Sequence, residues 1–148
     1  MGRKKSARTP PNWAYEDNPF STFGMIYADM LKSPKYQALS CSAKQFLTVC
    51  IVQSNTKESQ ECLFNALKER YESLGEPKSD FDLNVMVHDH SQGLFVFPKV
   101  QYEKFGYGSK YTFKCFQALK DAGFITVFQE GKTNRNVNIY QFSTKWKK

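Results

Sequence analysis

Apolar positions recur along this chain first with a helical period and later in short runs, and that change divides it. Phe23, Ile26, Tyr27, Met30 and Leu31 fall three and four apart, the spacing of one helical face. Ser33-Pro34 ends or turns that element, because the residue before a proline is pushed out of the helical region. Ser40 is placed to cap a helix running through Phe46, Leu47, Cys50 and Ile51. Across residues 57–74 a stripe of Cys62, Leu63, Ala66, Leu67, Arg70, Tyr71 and Leu74 predicts a second amphipathic helix, stopped by Gly75-Glu76-Pro77. Residues 76–93 are polar and read as a loop containing a short strand-like run, Leu83 to Val87.

From residue 94 the pattern is compact. Leu94 to Phe97 reads as a strand, and Val100 to Phe105 as a short helix. Gly106-Tyr107-Gly108 reads as a tight turn, since glycine reaches positive φ without steric cost. Ser109 is expected to cap a helix through Ala122, with Gly123 as its stop. Phe124 to Phe128 and Asn138 to Phe142 read as strands joined by the polar, basic stretch Glu130 to Val137. Strand, helix, turn, helix, strand, wing, strand is the order of a winged helix-turn-helix. The expected fold is therefore α+β: a winged helix-turn-helix with extra N-terminal helices and a small antiparallel β wing. On the second helix Phe113, Phe116, Leu119 and Ala122 are expected to face inward, with Cys115 beside them. Ser109, Lys110, Tyr111, Lys114 and Gln117 are expected outward, a set of cations, hydroxyls and an amide suited to phosphates and base edges. In the wing, Lys132, Asn134 and Arg135 supply the same chemistry, with Arg135 able to enter a minor groove.

The chain has 148 residues, 41% of them hydrophobic, enough for a single domain with one core. Residues 1–19 contain Pro10, Pro11 and Pro19 with little apolar periodicity, and read as a flexible basic arm. Residues 20–148 read as one domain with a helical and loop insertion at about 54–93. No stretch approaches the roughly 20 apolar residues of a membrane span, and Met1 to Arg8 lack the apolar run of a signal peptide. The expected location is the cytoplasm. The net charge of +7 is unevenly spread: residues 1–8 carry +4 from Arg3, Lys4, Lys5 and Arg8, residues 9–93 carry −4, and residues 94–148 carry +7. Basic segments flanking an acidic middle point to a polyanionic partner. Cys41, Cys50, Cys62 and Cys115 form no C-x-x-C pair; they read as reduced thiols, Cys50 and Cys115 as small core residues.

The run Phe23 to Ser40, with Leu39-Ser40 leading to Ala43-Lys44, resembles the opening of winged-helix proteins carried by plasmids, phages and conjugative elements. The segment Gly106 to Ile125, with Leu119-Lys120-Asp121-Ala122-Gly123-Phe124-Ile125, resembles their recognition helix and the strand after it, and Asn138 to Ser143 is similar to their last strand. The resemblance covers roughly residues 20–53 and 94–146. It implies a DNA-binding role of the replication-initiator, replisome-organiser or regulatory kind.

Two rival readings carry specific residues. Asp80, Asp82, His88, Asp89 and His90 combine carboxylates and imidazoles in one stretch, as a metal-dependent nuclease requires. They lie in a weakly patterned segment, and the chain holds no G-x-x-x-x-G-K-[ST], G-x-S-x-G or H-E-x-x-H motif. The second rival is a protein-interaction module that uses the 57–74 helix as its docking surface. The expectation is a non-enzymatic protein without cofactor or metal. Its expected partner is double-stranded DNA, bound by one copy, a homodimer or a larger nucleoprotein complex, with no membrane.

Overall fold

A computed structural model describes residues 24–89, 91–131 and 137–147. Among these the chain is α+β, with seven α-helices and one three-stranded antiparallel sheet. Two short helices, α1 (Ala28–Lys32) and α2 (Pro34–Gln37), meet at Ser33, whose hydroxyl donates to the Met30 carbonyl and accepts from the Tyr36 amide. Helix α3 (Cys41–Gln53) starts at Ser40, whose side chain accepts from the Ala43 N–H, so the expected cap is present. Helix α4 (Lys57–Ser73) is capped in the same way by Thr56, and the chain leaves it through Gly75 at φ 73°.

Residues 76–93 correct the expectation of a loop with a strand-like run. Asp80–His88 is a helix, α5, capped by Ser79, which accepts from the Asp82 N–H at 3.2 Å. Asp80 and Asp82 fill its first turn, where carboxylates complement the helix dipole. Leu83, Met86 and Val87 are then three and four apart on one face and pack against Leu63, Ala66 and Leu67 of α4. Leu83, Val85 and Val87 also fall two apart, and that short alternation is what imitates a strand.

Strand β1 (Leu94–Phe95) is followed by α6 (Lys99–Lys104), α7 (Ser109–Ala122), β2 (Ile125–Gln129), β3 (Ile139–Phe142) and a closing 3-10 turn at Lys145–Lys147. The sheet order is β1-β3-β2, with Phe95 opposite Tyr140, and Val127 opposite Tyr140 on the other side. A bulge between Val127 and Gln129 interrupts the hairpin register.

Side chains alternate across this sheet into two separate cores. Phe95, Phe97, Ile125 and Tyr140 join Ala43, Phe46, Leu47 and Cys50 of α3 and Cys115, Phe116 and Leu119 of α7. Leu94, Val96 and Ile139 join Leu63, Ala66 and Leu67 of α4 and Leu83 of α5. The sheet is buried on both faces, which is why Leu94 to Phe97 is apolar at every position instead of every second one.

Replacing Leu83, which is 0% exposed, with alanine should cost about 3 kcal/mol, whereas Phe81→Ala on the 75%-exposed outer face of α5 should stay within about 0.5 kcal/mol. Urea denaturation of both variants measures the difference. Equal, small effects would mean that this segment is not docked as a helix.

Candidate nucleic-acid interface

Helix α7 is held in rotation by an aromatic column. Phe116 stacks on Tyr140 with centroids 4.1 Å apart and planes within 11°, and meets Phe46 edge-on at 4.9 Å. Tyr140 continues through Phe95, which stacks on Phe142 at 4.3 Å. Around Phe116 the buried positions are Thr112, Cys115 and Leu119. That set is i, i+3, i+4, i+7, the spacing of a true helical stripe.

Phe116 and Leu119 are inward as expected, with Cys115 beside them and Ala122 partly buried against the same core, and the expected set is corrected at Phe113. Phe113 is 69% exposed and does not join the core. Positions 113, 116, 119 and 122 are three apart, and at 3.6 residues per turn each such step slips about 60° round the helix, so the four cannot share a face. Thr112 takes the inward place, carrying a methyl group that a search for apolar residues passes over. Tyr111 is corrected as well. It is half-buried, with its ring stacked on Tyr107 at 5.2 Å, so only part of it reaches solvent. Ser109 is exposed as expected but does not cap the helix. Gly108 is the N-cap residue, and the Ser109 hydroxyl pairs with Tyr102 Oη at 2.9 Å across the α6–α7 turn.

Lys110, Lys114 and Gln117 are exposed at i, i+4 and i+7. Among the described residues the ion pairs are Lys68–Asp80 and Lys104–Glu58, so neither Lys110 nor Lys114 is neutralised by a carboxylate. Lys104, one turn of chain before α7, is neutralised at 2.7 Å by Glu58 of α4. Gln117 is less free than its sequence position implied, because its Nε2 donates to Asp121 Oδ1 at 3.1 Å. At its far end α7 closes on Gly123 at φ 86°, with Phe124 N–H donating to the Leu119 carbonyl at 3.0 Å. Trp146 N–H donates to the Gly123 carbonyl at 3.2 Å, and the Trp146 ring stacks on Phe124 at 5.8 Å. A Cβ on residue 123 would lie 3.0 Å from both Lys145 Cβ and Trp146 N.

The base of the β2–β3 hairpin is tied from two sides. Asn138 accepts from the Gly131 N–H at 2.6 Å and donates to Tyr140 Oη at 3.2 Å. Arg70 of α4 lies 4.7 Å over the Phe128 ring and donates to Gln129 Oε1 at 2.9 Å. The expected wing residues Lys132, Asn134 and Arg135, and the arm residues Arg3, Lys4, Lys5 and Arg8, lie outside the described residues.

The carboxylate and imidazole stretch is spread along α5. Asp80 and Asp82 begin the helix and His88 ends it, which separates Asp80 from His88 by about 12 Å of helix rise. The His88 Nδ1–H donates to the Asn84 carbonyl, and Asp89 accepts from Ser91. Among the described residues no three His, Cys, Asp or Glu side chains are grouped to hold a metal; His90 lies outside them. The apolar stripe of α4 is covered by α5 and the sheet, and its exposed face carries Lys57, Glu58, Glu61, Lys68, Glu69 and Glu72. No helix among the described residues is long and apolar enough to cross a membrane. No protein-family model matches this chain, nor does any curated protein or any solved structure.

All four cysteines are free thiols, and Cys50 of α3 and Cys115 of α7 lie in the same core. Burial pushes Cys50 well above the ordinary thiol value of 9.0, and the neighbouring Cys115 adds to the push. Burial also raises Cys115, offset in part by a hydrogen bond from Tyr111. A thiol whose folded pKa is raised stabilises the fold fully below its unfolded pKa and loses that contribution as pH rises through the folded value. Stability should therefore decline from pH 9 upward, and the decline should be shallower in Cys50→Ala. Urea midpoints at pH 7.5, 9 and 10 test this; parallel pH profiles for the two proteins would show that Cys50 plays no part.

Proposed function

We propose that this chain is a non-enzymatic, cytoplasmic double-stranded DNA-binding protein of the winged helix-turn-helix type, with α7 as its recognition helix and the β2–β3 hairpin as its wing. The observation that carries the reading is the exposed arc of α7. Within the order β1, α6, α7, β2, β3, that helix turns Lys110, Lys114 and Gln117 to solvent, with neither lysine paired to a carboxylate among the described residues. A helix of this kind fits the major groove, where lysine donates to guanine O6 and N7 and glutamine pairs with adenine. The +7 charge over residues 94–148 supports a polyanionic partner for the same half of the molecule. The resemblance of residues 20–53 and 94–146 to winged-helix proteins of plasmids, phages and conjugative elements supports a role in the replication, transfer or transcription of a mobile element. Lys132, Asn134, Arg135 and the basic arm at residues 1–8 extend the contact to the backbone, and binding by a homodimer or a larger nucleoprotein complex is part of this reading.

Affinity for duplex DNA should fall steeply with salt, each neutralised phosphate adding about −0.9 to the log–log slope, and Lys110→Ala with Lys114→Ala should flatten that slope by up to about 2. Fluorescence anisotropy between 50 and 300 mM salt reads this directly. A flat response in the parent protein would remove DNA as the partner. Selection of bound sequences separates the two elements. Lys114→Ala plus Gln117→Ala should relax the preferred sequence, and Lys132→Ala plus Arg135→Ala should weaken all sequences evenly. The opposite assignment would make the hairpin the reading element.

A further inference from the structure

The exposed arc of α7 carries one side chain whose chemistry differs from the rest. Phe113 is 69% exposed, on a helix whose buried stripe is fully occupied by Thr112, Cys115, Phe116 and Leu119. Among the described residues the rings paired with one another include Phe46, Phe95, Phe97, Phe116 and Phe124, but not Phe113. Its neighbours along the helix surface are Ser109, Lys110, Lys114 and Gln117, all exposed. An apolar protein partner seated on this ring would have to strip water from the ammonium groups of Lys110 and Lys114, which pair with no carboxylate among the described residues, and that is costly. A surface with anionic walls and an isolated apolar group between them fits better.

The major groove of DNA is such a surface. Its walls are phosphates, and the one apolar group its base edges present is the C5 methyl of thymine. We propose that Phe113 reads thymine by packing its ring against that methyl, while Lys110 and Lys114 contact phosphate or guanine on either side. This rests on the reading of the chain as a duplex-binding protein and adds to it the base that α7 selects at one position. An exposed phenylalanine offers no hydrogen bond, so the contact discriminates by the methyl alone. It distinguishes thymine from uracil, and the two pair identically with adenine.

The test uses the full chain and a duplex chosen by sequence selection. Each thymine of the selected site is replaced in turn by deoxyuridine, which removes only the methyl. With the parent protein, one replacement, or two adjacent ones, should weaken binding roughly fivefold. Phe113→Ala should bind the thymine duplex as weakly as the parent binds the uracil duplex, and should be indifferent to the replacement. Phe113→Leu, which keeps an apolar group, should retain part of the discrimination. Because the ring is outside the core, all three proteins should share one thermal midpoint. If the parent binds duplex DNA in a Lys110- and Lys114-dependent way yet treats thymine and uracil alike at every position, the methyl contact is wrong and the DNA-binding reading survives. Equal loss on both duplexes in Phe113→Ala would likewise overturn it. If the parent binds no duplex at all, both readings fall.

Discussion

Helices on both faces of the three-stranded sheet bury the segment Leu94 to Phe97 from both sides, and much of the remaining architecture follows from that constraint. Every residue from Leu94 to Phe97 must be apolar, because alternate side chains enter opposite cores. The backbone polar groups of such a strand must also be satisfied where the ladder ends. Val96 lies just past the last ladder pair and is fully buried, and its carbonyl accepts from Gln53 Nε2 at 3.1 Å and Ser59 Oγ at 3.3 Å. Those two residues sit at the end of α3 and the start of α4. The bonds therefore fasten the elbow at which the chain leaves one face of the sheet for the other. Helix α4 reaches the far face through that elbow, and once there its Arg70 braces β2 at Phe128 and Gln129.

On the opposite face the controlling contact is the stack of Phe116 on Tyr140. Two flat rings nearly parallel and in contact tolerate little rotation of the helix that bears one of them. Fixing Phe116 inward fixes Lys110, Lys114 and Gln117 outward by helical geometry alone, and also carries Phe113 into solvent and leaves Tyr111 at the boundary against Tyr107. Electrostatics then separates lysines that look equivalent in the sequence. Lys104 is paired with Glu58, which the far-face helix α4 brings to α6, whereas Lys110 and Lys114 have no such neighbour among the described residues. Helix α4 thus reaches the candidate interface by cancelling a charge beside it.

Local signals were legible where one residue type has one physical use. The Ser40 cap, the glycine stop at 123, the two strands after α7 and the 57–74 helix all rest on such uses, and the structure contains each of them, whereas the strand expected over Leu94 to Phe97 stops at Phe95. The rest was hidden by ambiguity of period. Leu83 to Val87 alternates well enough to imitate a strand, and only Ser79 three residues before Asp82 signals a capped helix. In α7 apolar residues three apart extend the expected inward face one step too far, to Phe113, while Thr112, which reads as polar, is buried. Ser109 had two uses for its hydroxyl, and a tyrosine seven residues earlier in the chain took it. That pairing depends on how α6 and α7 cross, which no local pattern encodes.

The wrap at Gly123 has a consequence for where the chain can vary. Helix α7 is anchored at its C-terminal end by a left-handed glycine, two backbone bonds and the Trp146–Phe124 stack, and at mid-length by Phe116. Its first turn has no side-chain cap and follows Gly106 and Gly108, the former at φ 84°. The start of the helix is held instead by side chains: Ser109 Oγ pairs with Tyr102 Oη, the Tyr111 ring stacks on Tyr107, and Thr112 is buried. A Cβ on Gly123 would displace the chain at Lys145 and Trp146, whereas one on Gly108 meets nothing within 4 Å. Variation is therefore open at the entrance to the helix and closed at its exit.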